Sequence, residues 1–227
     1  MNSPLVSPFD TQALLRLMAW MSPAFPVGGF AWSGGLERAV HDRLVTDTAA
    51  LSDWLATLLA HGSAWNDAVL FCEAWRQHDN AEALADASQL GLALAGSAER
   101  HSETLSLGRA FVTAASAWPH PVLERLPDDL PFPVAVGAVA AAHAVPADKA
   151  LAAFLHATVS QWISAAIRLG VCGQVDGVRV LAGTEAAIGA LSVRAGALTL
   201  DDLGSATVQA EISSLRHEQQ HSRLFRS

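Results

Sequence analysis

The 227-residue sequence contains no tyrosine, a single lysine and two cysteines, and these scarcities exclude several classes of protein. A P-loop nucleotidase needs Gly-Lys followed by Ser or Thr. Here the one lysine, Lys149, is followed by Ala150, so the chain is not a P-loop nucleotidase. Cys72 and Cys172 each lie among apolar residues. This placement indicates free thiols in a reducing compartment rather than a disulfide framework.

Positive charge and long hydrophobic runs are scarce as well. The formal net charge is −8, whereas nucleic-acid-binding domains present a basic face. We therefore predict no nucleic-acid partner and keep basic proteins and metal cations as candidates. The N-terminal stretch MNSPLVSPFDTQ lacks the basic and hydrophobic regions of a signal peptide. The most apolar stretch, 131–147, is too short to span a bilayer, so we expect a cytoplasmic protein without membrane contact.

Hydrophobic residues make up 51% of the chain and recur mainly at helical spacing. Between Leu151 and Ile167 they form one continuous stripe, which predicts a helix over 147–169 with Trp162 and Ile163 buried. The segment 177–183 is a short strand candidate, although its neighbours favour helix. Similar patterns predict further helices at 11–21, 34–43, 48–61, 63–78, 81–95, 97–117, 132–144, 177–195 and 200–212.

The segments between these predicted helices are short and carry glycine or proline. The exception is the long, proline-rich stretch 119–131, which divides the chain roughly in half. Short connections favour antiparallel packing of neighbouring helices. We therefore predict an all-α fold with a single compact domain of about ten helices.

The C-terminal stretch HEQQHSRLFRS places His217, Glu218 and His221 at the H-E-x-x-H spacing of zinc metallohydrolases. On a helix, the two histidines would share one face and the glutamate would act as general base. A catalytic zinc needs a third protein ligand. No acid follows Glu218, and the two further positions of the longer pattern hold Leu224 and Ser227. A zinc metallohydrolase is therefore kept as the alternative to a metal-free polar segment.

Two other segments combine charge, glycine and aromatic residues. The segment SPAFPVGGFAWSGGLERAV, 22–40, predicts a structured turn whose aromatic residues form a packing or partner surface. In ERHSETLSLGRAF, 99–111, Glu99 and Glu103 lie one helical turn apart. We interpret them as a solvated helix face rather than an acid–base pair. Gly108 within this helix predicts close approach by another helix.

The segment AAIRLGVCGQVDG, 165–177, places Arg168 at the end of the predicted amphipathic helix. A positive side chain there interacts favourably with the helix dipole. Gly170 is expected to end the helix. Arg168 and Gln174 therefore either form a cap and turn, or contact another subunit or a partner.

These segments resemble, in their order along the chain, the motifs of the urease accessory protein UreF family. SPAFPVGGFAWSGGLERAV is similar to the family's S-P-x-x-P-V-G-x-F-x-x-S-x-G-L-E segment, and SETLSLGRAF to its E-T-x-x-x-G motif. AAIRLGVCGQVDG and SSLRHEQQHSRLFRS are similar to its R-L-x-x-x-G-Q-x-x-G motif and its H-E-x-Q-x-S-R-L-F tail. Cys172 replaces the usual Leu, and His221 occupies a variable position. The H-E-x-x-H string thus resembles a family tail with an additional histidine.

The resemblance implies a dimeric, non-enzymatic, all-α protein without a cofactor or bound metal. Its implied partners are the UreD/UreH protein, the GTPase UreG and apo-urease, to which the assembly delivers nickel. A nickel-storing chaperone is a weaker option, because the sequence lacks a His-rich tract. The resemblance further implies a flexible N-terminal segment, about 1–9, and a C-terminal tail, about 213–227, that docks on UreD/UreH.

The family motifs also imply roles for particular residues. Gly28, Gly108 and Gly173 are expected to be structural. We expect residues 216–227 to be dispensable for folding, because Leu224 and Phe225 are their only large apolar residues. The residues expected to bind partners are Phe30, Glu37, Glu103, Arg168, Gln174, His217, Glu218, Ser222, Arg223, Leu224, Phe225 and Arg226.

Overall fold

The structure, a computed structural model, describes residues 10–227, and the segment predicted to be flexible, about 1–9, lies outside the described residues. The described chain contains ten α-helices, three short 3-10 helices and no strand. The α-helices are α1 (Thr11–Trp20), α2 (Leu36–His41), α3 (Thr48–His61), α4 (Ser63–Arg76), α5 (Ala81–Ala93), α6 (Ala98–Ala115), α7 (Phe132–Ala142), α8 (Ala147–Arg168), α9 (Gln174–Ala195) and α10 (Val208–His217).

Several helices begin at polar side chains that cap their first turn. Asp47 accepts a hydrogen bond from the Ala50 amide at the start of α3, and Ser97 accepts one from the Arg100 amide at the start of α6. Each such cap contributes about 1 kcal/mol. Gly170 follows α8 with φ +77°. The prediction that this glycine ends the helix is therefore confirmed.

The core is built around α7, which packs against α4 and α6, while α8 packs along α9. The middle of α7, from Val134 to Ala140, is buried on all sides. Trp162 and Ile163 on α8 are each 5% exposed, as the apolar stripe predicted. By length and hydropathy, α8 is the one described helix able to cross a membrane, but half of its apolar window is buried inside the domain.

The proline-rich segment 119–131 lies within the same domain as the helices that flank it. It contains a 3-10 helix, Pro121–Glu124, and Val122 and Leu130 enter the core. Because α6 packs on α7 directly across it, this segment does not separate two domains. The predicted single all-α domain is confirmed.

The end of the chain departs from the predicted helix at 200–212. A 3-10 helix, Leu200–Asp202, is followed by non-helical residues, and α10 begins only at Val208. The capping box between Thr199 and Asp202 closes the short helix locally. The Ala206 amide then donates to the His61 carbonyl, which holds this segment against the end of α3. The strand candidate at 177–183 lies inside α9.

Both cysteines are free. Cys72 is buried in the core, and burial raises the pKa of its thiol to about 11. Cys172 is half-buried, and burial raises the pKa of its thiol too. Both thiols are therefore protonated and poorly reactive at neutral pH.

Candidate functional site

The C-terminal segment, residues 218–227, folds back across the loop that precedes α2. The Arg226 amide donates to the Ala31 carbonyl at 2.8 Å, and the Ser33 amide donates to the Ser227 carbonyl at 2.9 Å. The Gly34 amide also donates to the Ser227 hydroxyl at 3.1 Å. These bonds fix the chain end on the body of the protein. That residues 216–227 are dispensable for folding stays a prediction.

Glu37 in the first turn of α2 is the main hydrogen-bond acceptor for this segment. Its carboxylate accepts the Leu224 amide at 2.7 Å and the Phe225 amide at 2.9 Å, and the side chain is only 6% exposed. Gly35, at φ +82°, makes the tight turn that starts α2 and aims this residue inward. Hydrogen bonds from backbone amides to a buried carboxylate are charge-assisted and therefore strong.

His217 also contacts Glu37 and links it to Glu99. It is fully buried at the last residue of α10. Its Nε2 lies 3.1 Å from Glu37 Oε2, and its Nδ1 lies 2.7 Å from Glu99 Oε2. Arg223 Nη1 donates to the other oxygen of Glu99 at 2.5 Å. Residues from α2, α6, α10 and the C-terminal segment thus meet in one polar cluster.

Arg168 connects α8 to the same site. Its Nη1 donates to the Phe30 carbonyl at 2.7 Å, and its guanidinium lies 4.2 Å from the centre of the Phe225 ring. The Phe225 ring is 5% exposed. Arg168 therefore does more than cap its own helix, because it holds both the loop and the C-terminal segment. Gln174 is exposed at the start of α9.

The docked segment and the loop together present an apolar and cationic surface. Phe30 is 75% exposed and Leu224 is 63% exposed. Arg226 is exposed, with its guanidinium 4.9 Å from the centre of the Trp32 ring. We call this area the tail–loop surface; it consists of Phe30, Arg168, Arg223, Leu224 and Arg226.

The residues predicted to bind partners divide into buried and exposed groups. Glu37, Glu103, His217 and Phe225 are buried and have internal partners. Glu37, His217 and Phe225 hold the C-terminal segment in place, whereas Glu103 pairs with Arg100 on α6. The exposed residues are Phe30, Arg168, Gln174, Glu218, Ser222, Arg223, Leu224 and Arg226.

The geometry does not bring the H-E-x-x-H residues together on one helical face as a zinc metallohydrolase requires. Because α10 ends at His217, His221 does not continue the same helical face and instead lies exposed beyond a turn. Glu218, the required general base, accepts a hydrogen bond from the Ala98 amide at 2.8 Å. Within residues 10–227, no group of three or more His, Cys, Asp or Glu side chains is arranged to hold a metal ion.

The prediction of a solvated face on α6 is wrong. Glu103 is 2% exposed and pairs with Arg100, which also makes a two-pronged contact of 2.9 and 2.7 Å with Asp67 on α4. Burial raises the pKa of the Asp67 and Glu103 carboxyl groups. The positive charge of Arg100 opposes this shift without cancelling it. Asp67 and Arg100 line a cavity of about 380 Å³. Asp67 has no local spacing signal in the sequence, because its partner Arg100 lies 33 positions away.

The structure gives a different account of each of the three glycines predicted to be structural. Gly28 has φ +78°, which favours glycine, and it precedes the loop that receives the C-terminal segment. A Cβ on Gly108 would collide with the Leu130 carbonyl, so the close approach is confirmed, but by the chain entering α7 rather than by a helix. Gly173 has an ordinary φ, and a Cβ there would meet nothing within 4 Å, so no steric reason requires glycine.

Comparisons with known proteins agree with this architecture. The family model for UreF matches residues 45–185, more than half of the chain. The urease accessory protein UreF of Agrobacterium fabrum is 63% identical over 215 residues, covering 95% of this chain and 96% of that protein. UreF of Rhizobium leguminosarum bv. viciae is 63% identical over 218 residues, covering 96% and 98%. The chain therefore belongs to the UreF family of urease accessory proteins.

Proposed function

We propose that the protein acts in urease maturation as a non-catalytic adaptor. In this proposal it links the UreD/UreH protein to the GTPase UreG while nickel is delivered to apo-urease. It works in the cytoplasm as a homodimer, without a cofactor or resident metal of its own. Family membership supports the role in urease maturation, and the particular partners are part of the proposal.

The tail–loop surface is the observation that carries the proposal. Exposed Phe30 and Leu224 are large apolar residues on a backbone fixed by hydrogen bonds, so little conformational entropy is lost when a partner covers them. Aromatic residues and arginines are favoured as interface hot spots. The arginines beside them are exposed on a chain of net charge −8 and therefore favour an acidic partner surface.

The buried residues have a second role in this proposal. Glu37, His217 and Phe225 do not touch the partner; they fix the position of the residues that do. Glu103 acts indirectly, because it fixes Arg100 and the start of α6. A partner then recognises a surface that exists only while residues 218–227 are docked.

Binding to a UreD/UreH protein tests this proposal. Phe30→Ser should weaken the affinity about 30-fold, equivalent to the loss of about 2 kcal/mol expected at a hot spot. Val193→Ser is the matched control, because Val193 is 72% exposed on α9, outside the tail–loop surface. Isothermal titration of the two variants gives the comparison. Equal affinities for wild type and Phe30→Ser would overturn the proposed surface.

A non-catalytic role also predicts that the isolated protein hydrolyses neither GTP nor peptides. The H-E-x-x-H residues are already engaged or separated, as Glu218 binds the Ala98 amide and His221 lies beyond the end of α10. Turnover that survives repurification and disappears in Glu218→Gln would contradict this prediction.

A further inference from the structure

A cavity of about 380 Å³ lies between α4, α6, α8 and α10 and shares no residue with the tail–loop surface. Its apolar walls include Trp162 on α8 and Pro131. Asp67 and Arg100 line it with side chains that are 12% and 20% exposed, and Glu211 lies at its exposed edge. Sites for small molecules combine this size with apolar walls and a few polar groups.

The charged groups at this cavity are more negative than positive. Asp67 and Glu103 share the single guanidinium of Arg100. The Glu103 Oε2 atom lies 3.3 Å from Arg100 Nη1 but is not aligned for a hydrogen bond. Burial raises the pKa of both carboxyl groups although Arg100 opposes the shift, which agrees with incomplete compensation. Since Glu211 adds a further carboxylate, the cavity favours a positively charged ligand.

Asp67 can bind such a ligand without losing its contact with Arg100. Its two oxygens accept from Arg100 Nη2 at 2.9 and 2.7 Å. A carboxylate has about four acceptor positions, so each oxygen can accept a further hydrogen bond. An ammonium group matches this remaining capacity, because it carries several N–H donors and a positive charge.

The indole N–H of Trp162 is a second polar group of the lining. Trp162 is 5% exposed. A Cβ added to Gly34, which also lines the cavity, would lie 2.9 Å from its Nε1. Within residues 10–227, the indole N–H groups that donate to protein acceptors are those of Trp65 and Trp75 and not that of Trp162. Because buried donors are normally paired, this N–H favours a ligand with an oxygen acceptor.

We propose that this cavity binds a small organic cation, a protonated amine that also carries a hydroxyl or carbonyl oxygen. The ammonium group bonds to Asp67, the oxygen accepts from the Trp162 N–H, and the carbon chain lies against the apolar walls. A free small molecule fits better than a protein surface, because these groups line a concave cavity.

A metal ion suits these residues less well than an organic cation. Among the residues that the structure describes, no three His, Cys, Asp or Glu side chains are arranged to hold a metal ion. The nearest carboxylate, Asp67, is already bonded to Arg100. An organic cation needs only hydrogen bonds and apolar contact, and the lining offers both.

Isothermal titration of the full-length protein with 4-amino-1-butanol tests the proposal. We expect saturable binding with a dissociation constant of about 1 mM or below. In 1,4-butanediol, which has the same length, the charge is lost and the affinity should fall at least about tenfold. In pentylamine the oxygen is lost and the affinity should fall about fivefold. No saturable binding of 4-amino-1-butanol, or an equal affinity for the diol, would overturn the proposal.

Trp162→Phe removes the indole N–H and keeps an aromatic ring in the core. This variant should bind 4-amino-1-butanol about fivefold more weakly than wild type and bind pentylamine as wild type does. The difference between the two compounds separates a lost hydrogen bond from a general change in the cavity. Equal weakening of both compounds would overturn the proposed oxygen contact.

Glu211→Gln tests the charge of the cavity without disturbing the core, since Glu211 is exposed. The affinity for 4-amino-1-butanol should fall about threefold at low salt. Glu185→Gln is the matched control, because Glu185 is exposed on α9 and does not line the cavity. Equal affinities for the two variants would overturn the role of the acidic lining. Asp67→Asn is a less suitable variant, because it also weakens the pairing with Arg100.

Nuclear magnetic resonance locates the bound compound. With ¹⁵N-labelled tryptophan, the indole signal that disappears in Trp162→Phe belongs to Trp162. This signal should shift when 4-amino-1-butanol is added, whereas that of Trp75, whose N–H donates to the Val145 carbonyl at 2.9 Å, should not. Nickel chloride should not displace the compound. A shift confined to other tryptophans, or displacement by nickel, would overturn the proposal and leave the adaptor proposal untouched, because no partner is present.

Discussion

The apolar stripe of α8 and the docked C-terminal segment are both buried, but they are held in different ways. Val159, Trp162 and Ile163 pack among many apolar neighbours, so no single partner decides their position. The C-terminal segment depends on a few polar groups, chiefly Glu37 and His217. The apolar stripe of α8 is held by many contacts at once and forms part of the hydrophobic core. The C-terminal segment is held by far fewer contacts, several of them through the Glu37 carboxylate.

Replacing Trp162 with alanine should have the largest effect on stability. The side chain is 5% exposed, and its loss leaves a large cavity that the helices cannot fill. We expect a loss of about 3–5 kcal/mol in the free energy of unfolding. Urea denaturation followed by circular dichroism measures it. A loss below about 1 kcal/mol would show that the stripe is not part of a packed core.

Replacing Phe225 with alanine should have an intermediate effect of about 1–3 kcal/mol. Its ring is buried beneath Arg168, but it lies on a segment held by a few polar contacts rather than between packed helices. The expected loss is therefore smaller than for Trp162. Leu224→Ala is the matched control, since Leu224 is 63% exposed and its loss should cost about 0.5 kcal/mol or less. Equal losses in the two variants would contradict the docked arrangement.

Replacing His221 with alanine should have the smallest effect. The side chain is exposed, and it has no role in holding the segment. We expect the free energy of unfolding to change by no more than about 0.5 kcal/mol. Affinity for UreD/UreH should also stay the same. If His221→Ala disrupts binding while Phe225→Ala does not, the histidine pair rather than the docked segment is the functional feature.

The contrast between these regions also explains what the sequence could predict. Trp162 and Ile163 were predicted to be buried because each lies in a stripe repeated over five helical turns. The joining of Glu37 to residues near the chain end depends on tertiary contacts about 180 positions apart, which no local spacing reveals. The exposed-face interpretation of Glu103 failed for the same reason, because this face of α6 is buried and its Arg100 pairs with Asp67 from α4.

The family motifs do not indicate how the residues that they single out are arranged. Phe30, Arg168, Arg223 and Leu224 were predicted as a partner-binding group, and the structure brings them to one surface. The motifs predict that the C-terminal segment docks on UreD/UreH and do not indicate its arrangement in the isolated chain, whereas the structure packs it on its own domain. The difference arises because backbone amides and the buried carboxylate of Glu37 satisfy one another, and composition does not show such a pairing.

The affinity of Glu37→Gln for the UreD/UreH protein tests the central claim most directly. Glu37 is buried, so the substitution removes no residue from the tail–loop surface, but it weakens the hydrogen bonds that hold residues 218–227 in place. We predict that isothermal titration will show an affinity at least about tenfold weaker than wild type, with an unchanged helical content. An affinity equal to or tighter than wild type would contradict the account, because the partner would then bind the segment in its released form.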